Sequence, residues 1–192
     1  MYLIRGQNNL KLFKSRYPDI LLSGTIGNFD GLHLGHQAIL EKIKNNAQKY
    51  NAKTIVFFTE PHAAEYFSKV RDRNQIPPPR ICPWREKVQL LKKSKIDFAC
   101  FLKFNNKLRT MSPDDFISQI LDSINLVSFT VGDDFRFGAG RKGDTDLLKN
   151  WGEKKGILVE NTETITLDGQ RVSSTRIREE LLNNNFNNAE KL

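Results

Sequence analysis

The chain has 192 residues, 39% apolar and 27% charged, with 13 Phe; this suits one globular domain with a core of its own and excludes a disordered chain. No run of 18 apolar residues occurs, which excludes a membrane-spanning helix, and Met1 to Leu12 lacks the apolar block of a signal peptide. A net charge of +8 favours anionic partners without choosing between nucleic acid, phosphorylated metabolites and a merely solvated surface, while two cysteines and three histidines are too few for a disulfide scaffold or a structural zinc site.

In chain order, residues 20–26 read as a strand. Residues 35–50 read as a helix, with Ala38, Ile39, Ile43 and Ala47 at helical spacing. Residues 54–58 are a compact apolar strand. Residues 75–83 hold four prolines and read as a loop or lid, and 84–93 as a helix carrying Val88, Leu90 and Leu91. A strand over 98–102 follows. Ser112-Pro113-Asp114-Asp115 starts a helix: Ser caps it, Pro fits the first turn and the acids suit its positive end. That helix extends to about residue 123. A strand over 126–131 leads into a Gly-rich loop over 132–143. A helix over 145–155 stops at Gly156, a fifth strand covers 157–161, and a last helix covers 174–182. The stretch 183–188, Asn at every position but Phe186, reads as a weakly structured end. Strands alternating with helices predict right-handed βαβ units in a parallel sheet, which binds ligands at the carboxyl ends of its strands.

Four segments carry candidate chemistry. Gly27-Asn28-Phe29-Asp30-Gly31-Leu32-His33-Leu34-Gly35-His36 follows the first predicted strand and opens a helix. Its glycines permit a sharp turn and close ligand approach, and Gly35 is expected to leave room for a nucleotide between the two histidines. The free N–H groups at the helix start suit an anion, and His33 and His36 can donate hydrogen bonds to a phosphate. Arg171-Val172-Ser173-Ser174-Thr175-Arg176-Ile177-Arg178 caps a helix with hydroxyls and places Arg178 one turn beyond Ser174. In Gly132-Asp133-Asp134-Phe135-Arg136-Phe137-Gly138, acids and aromatics at a strand end suit a planar ring and phosphates. Glu60-Pro61-His62 leaves the second strand at the same edge; Arg80, Arg85 and Glu86 follow the proline-rich stretch and read as a solvated helix start.

Taken together these segments resemble the adenylyltransferase part of the prokaryotic bifunctional riboflavin kinase/FAD synthetase. That family shows Gly-x-Phe-Asp-Gly-x-His-x-Gly-His, matched at 27–36, Gly-Asp-Asp-Phe-x-Phe-Gly, matched at 132–138, and Arg-x-Ser-Ser-Thr-x-x-Arg, matched at 171–178. Order and spacing agree from about residue 15 to the end. The resemblance implies an α/β, Rossmann-like nucleotidyltransferase fold with a parallel sheet of five or more strands and helices on both faces. It implies that residues 1–192 are an FMN adenylyltransferase domain, with the family's riboflavin kinase domain absent from this chain and linked to it in the full-length protein; the two cysteines without an export signal read as a reduced, cytoplasmic protein. The implied catalytic residues are His33, His36 and Arg178. ATP would contact Gly27, Asn28, Phe29, Asp30, Gly35, Arg171, Ser173, Ser174 and Thr175. FMN would contact Glu60, Pro61, His62, Arg80, Asp134 and Phe135. Mg²⁺ would be held mainly by substrate phosphates, with Asp134 as its protein ligand. Two departures fall on the flavin side. The family usually reads Thr-Phe-x-Pro-His-Pro where this chain has Phe58-Thr59-Glu60-Pro61-His62-Ala63, and often has Thr in place of Cys82.

The implied reaction attaches the AMP of ATP to FMN, giving FAD and pyrophosphate by in-line attack with no covalent enzyme intermediate. No nucleic-acid or membrane partner is expected. Three other readings of the motifs stand beside it: the same chemistry on nicotinate mononucleotide or phosphopantetheine, a fragment of a tRNA-binding synthetase, and a basic nucleic-acid binder without catalysis.

Overall fold

Strand β3 (Lys53–Glu60) is buried without a break from Thr54 to Phe58, the pattern of a strand covered on both faces. Its side chains alternate between two cores: Ile55 and Phe57 enter one, Val56 and Phe58 the other. In the computed structural model, which describes residues 1–70 and 76–192, six strands form one sheet. They are β1 (Tyr2–Arg5), β2 (Leu22–Ile26), β3, β4 (Phe98–Lys103), β5 (Leu126–Gly132) and β6 (Leu158–Thr162). Their order is β1-β4-β3-β2-β5-β6, and every pairing is parallel.

The helices close both faces. On one, α1 (Gln7–Arg16), α6 (Pro113–Phe116) with the π-turn Ile117–Leu121, and α7 (Thr145–Lys155) bury Leu10, Phe13, Phe116, Ile120, Leu148 and Trp151. On the other, α2 (Leu34–Lys49) and α4 (Trp84–Lys93) bury Leu40, Ile43 and Leu91. From β2 the chain first builds outward through β3 and β4, then returns to place β5 on the other side of β2. The crevice where the order reverses is where such sheets take ligands. Ser128 of β5 donates to Ser23 of β2 at 2.7 Å, joining these two strands inside the sheet near their amino ends.

The predicted helices 84–93, 145–155 and 174–182 coincide with α4, α7 and α8 (Ser174–Leu182), and Gly156 ends α7 in the left-handed conformation at φ 68°. Four elements and a two-stranded hairpin escaped the pattern reading. β1 has four residues and α1 buries only two, beyond a Gly6 cap with no side-chain hydrogen bond. The other three are the helices α3 (Ala63–Val70) and α5 (Asn106–Thr110) and the hairpin β7 (Thr166–Leu167) and β8 (Gln170–Arg171). The Asn-rich tail is also corrected: α9 (Phe186–Lys191) forms, Leu192 is buried, and its carbonyl accepts from the Leu34 N–H at 2.7 Å. A docked end, rather than helix propensity, holds this segment. Of the proline-rich stretch, Gln75 lies outside the described residues; 76–80 carry no regular structure.

Candidate active site

The β2–α2 connection is held in a demanding backbone shape. Phe29 and Leu32 have φ of 47° and 46°, a conformation that side chains disfavour, and Gly31 lies at 88°. Both side chains are buried, Phe29 completely, so packing enforces the shape. A Cβ on Gly31 would come within 3.0 Å of Ile81, so this glycine admits the 79–82 segment rather than only a turn.

His33 caps α2: its Nδ1 accepts from the His36 N–H at 3.3 Å. That nitrogen is therefore unprotonated, and Nε2 carries the proton as a donor. The two imidazoles stack with centroids 3.7 Å apart and 23° between their planes, and Phe29 lies 4.9 Å from the His36 ring. This corrects the expectation for Gly35. Its missing side chain leaves space for the His33 ring, 3.2 Å from where a Cβ would sit, and no gap separates the histidines.

Burial lowers the His33 pKa to about 4, helped by the nearby positive charge of Arg171 and opposed by Asp30. Burial also holds His36 well below its ordinary value, and His33 and Lys87 add to the effect. Both rings are neutral at pH 7. His36 Nδ1 is buried with no hydrogen-bond partner among the described residues, an arrangement that costs stability unless a ligand or water completes it.

A pH prediction follows from His33. Its folded-state value of about 4 lies below the ordinary 6.5, so the unfolded chain takes up the proton first as pH falls. The His33 contribution to stability should therefore fall between pH 6.5 and 4 and stay constant below that window. Denaturation midpoints for the ligand-free protein and a His33→Gln variant across these pH values check it. A variant with an unchanged pH slope would contradict the assignment.

Asp30, 1% exposed, joins three segments. Its carboxylate accepts from the N–H groups of Ile81 at 3.1 Å and Cys82 at 3.0 Å, and pairs with Arg178. Its carbonyl accepts from Ser174 Oγ at 2.8 Å. Arg178 also donates to the Pro79 carbonyl at 2.6 Å. Ser174 and Arg178 thus share a face, as their spacing predicts, and that face grips the β2–α2 loop. Ser173 caps α8, accepting from the Arg176 N–H at 3.2 Å, while Thr175 is exposed. Gly27 donates to the Phe57 carbonyl at 3.1 Å, and the Asn28 carbonyl accepts from Lys87.

At the end of β5, Asp134 accepts from Arg171 at 2.7 Å, and Asp133 lies 3.6 Å from the same guanidinium. Phe135 stacks on Phe137, centroids 5.7 Å apart, and leans on the core. Beyond β3, Glu60 and Glu65 both hold Arg80, with Glu60 at 2.7 Å. Arg80 is therefore not part of a solvated helix start. His62 is buried, and its N–H donates to Glu65 at 3.2 Å. The pattern reading missed Glu65, Lys87 and the linking position of Asp30. An acid in a helix's first turn and a lysine on an amphipathic helix give no sign of burial.

Comparison with known proteins fits this geometry. The family model described as FAD synthetase matches residues 21–176. The chain belongs to this family. It is 37% identical over 193 residues to the bifunctional riboflavin kinase/FMN adenylyltransferase of Escherichia coli K12, covering 100% of this chain and 59% of that one. It is 36% identical over 196 residues to the protein of the same name from Haemophilus influenzae, again covering 100% and 59%. The chain thus spans 59% of the length of these relatives. Among solved structures, one described as a macrolide-efflux protein from Streptococcus pneumoniae superposes with a TM-score of 0.81 at 22% identity, covering 100% of this chain and 70% of that one. The pantoate-β-alanine ligase of Francisella tularensis superposes at 0.57 with 14% identity, covering 98% and 86%. At such identities these two show the fold alone, a Rossmann-like α/β fold with a parallel sheet. No helix among the described residues is long and apolar enough to cross a membrane.

Proposed function

We propose that this chain transfers AMP from ATP to the phosphate of FMN, forming FAD and releasing pyrophosphate. The observation that carries this reading is the meeting of the nucleotide-side and acceptor-side segments at one sheet edge. The loop 27–36 touches the start of α8 through Asp30 and Ser174, and touches the 79–82 segment through Asp30. Arg171 reaches Asp134, and Lys87 reaches both Asn28 and His62.

The chemistry suits these residues. The FMN phosphate is largely dianionic near neutral pH, because its second pKa is about 6, so it attacks the α-phosphorus without a protein base. Pyrophosphate leaves in line, and no covalent enzyme intermediate is needed. What the protein supplies is position and a place for negative charge. His33 and His36, neutral and stacked, offer donors in a site where water is scarce and each hydrogen bond to a developing charge counts for more. Arg178 and Arg171 supply positive charge, and their present carboxylate partners hold them in place until phosphate competes.

Mg²⁺ is the proposed cofactor, and the donor set fits it. Among the described residues no three His, Cys, Asp or Glu gather into a cage. The exposed carboxylate of Asp134, beside Asp133, suits a hard ion that takes most ligands from phosphates and water. When bound, the ion would offset charge on the triphosphate. The two free cysteines suit a reducing compartment, and the cytoplasm is the proposed one. The relatives' name joins this activity to riboflavin kinase, and we propose that linkage for the full-length protein.

The acceptor is tested by following pyrophosphate release at fixed ATP and Mg²⁺ with FMN, riboflavin and nicotinate mononucleotide. FMN should react far faster, because the ring's binding positions the phosphate for attack. Riboflavin lacks the attacking group and should give no FAD. Equal rates with nicotinate mononucleotide would overturn the flavin assignment and leave nucleotidyl transfer standing.

A further inference from the structure

Lys87 lies on α4, and its side chain is completely buried. A lysine in such a place is costly. Burial lowers its pKa from the ordinary value, only partly opposed by the field of Asp30. Among the described residues no carboxylate forms an ion pair with it. Its Nζ donates to the Asn28 carbonyl and lies 3.0 Å from His62 Nε2, above the Phe58 ring at 5.0 Å from its centroid. A position that only filled the core would be served as well by Leu or Met, without the desolvation cost.

The two hydrogen-bonded partners lie on opposite sides of the site. Asn28 immediately precedes Phe29, the residue with φ of 47° in the loop that carries His33 and His36. His62 follows β3, beside Glu65 and hence beside the Glu60–Arg80 cluster. The ammonium has only protons to offer, so His62 Nε2 must accept, which leaves its proton on Nδ1.

We propose that Lys87 is a positioning residue that fastens the nucleotide loop to the acceptor turn, so that binding of one substrate prepares the site for the other. This rests on the assignment of the two sides to ATP and FMN. Lys87 touches neither substrate. It fixes the Asn28 carbonyl from beneath and selects the His62 tautomer, and either movement is felt at the other end of one side chain.

The test measures FMN binding by flavin fluorescence with and without α,β-methylene-ATP and Mg²⁺, in the unaltered protein and in Lys87→Met. The unaltered protein should bind FMN at least about fivefold more tightly when the nucleotide is present, the lower range of coupling between sites. In Lys87→Met this factor should fall towards one, while FMN affinity without nucleotide changes less. A variant that keeps the full factor, or an unaltered protein without one, overturns the proposal. Failure of the unaltered protein to bind FMN would instead overturn the functional reading. A second measurement needs no variant. Nitrogen-15 spectra of the unaltered protein, with three His to resolve, should show His62 protonated on Nδ1. A proton on Nε2 overturns the proposal whether or not Lys87→Met folds.

Discussion

Replacing His36 by Ala is expected to slow FAD formation by roughly 10²–10³-fold, the scale of losing one preorganised donor to a developing charge. ATP affinity should change much less. The imidazole is buried against Phe29 and stacked on His33, so it is already in place before substrate arrives. It has no competing hydrogen bond at Nδ1 among the described residues. Its neutral state matters too: two protonated rings with centroids 3.7 Å apart would repel strongly, so charge on one suppresses charge on the other. Rates under saturating ATP and FMN, with nucleotide affinity measured separately, check the expectation. Turnover within a few-fold of the unaltered protein would remove His36 from the chemistry.

The second large effect is expected at Asp30. Asp30→Ala deletes a buried carboxylate that satisfies two backbone N–H groups and one guanidinium. Breaking such a pair by removing one partner costs about 3–5 kcal/mol, or about 6–20 °C in melting temperature for a chain of this size. Asp30→Asn keeps the shape and should lose less stability, because an amide oxygen can still accept one N–H. Arg178→Ala should cost less again, since the carboxylate keeps its two backbone donors, yet it should weaken nucleotide use. Arg178→Lys should recover only part of that use, because an ammonium lacks the planar fork. Thermal melts of all four substitutions, with nucleotide titrations beside them, separate these effects. An Asp30→Ala protein melting within about 2 °C of the unaltered one, well inside the shift that a lost buried pair implies, would show that the three segments are held by something else.

These expectations also mark where the sequence was readable. The strands β2, β3, β4 and β5 announce themselves because both faces of the sheet are covered and β-branched and aromatic residues recur along them, although Ser23, Thr25, Ser128 and Thr130 are buried polar residues. The helix starts at Ser112, Asp144 and Ser173 are equally plain, since each cap side chain accepts from a backbone N–H three residues on. By contrast, β1 lies at the sheet edge and is fixed by pairing with β4, a partner more than 90 residues away that local pattern cannot show. The site followed the same division. The placement of His33, His36, Ser174 and Arg178 is legible because a glycine-marked turn and a capped helix are local devices. The Arg80 cluster, the burial of Lys87 and the three-way grip of Asp30 depend on segments brought together by the βαβ crossovers. Even the motif glycine was misread in detail, because the ring that fills the space beside Gly35 is its own neighbour, His33.

The most direct test supplies this chain with FMN, Mg²⁺ and ATP labelled at the α-phosphorus, then separates the flavins. Transfer of AMP to FMN predicts label in FAD, formed in equal amount with pyrophosphate and dependent on FMN. Label that remains in ATP, or appears only as free AMP with no labelled flavin, would contradict it.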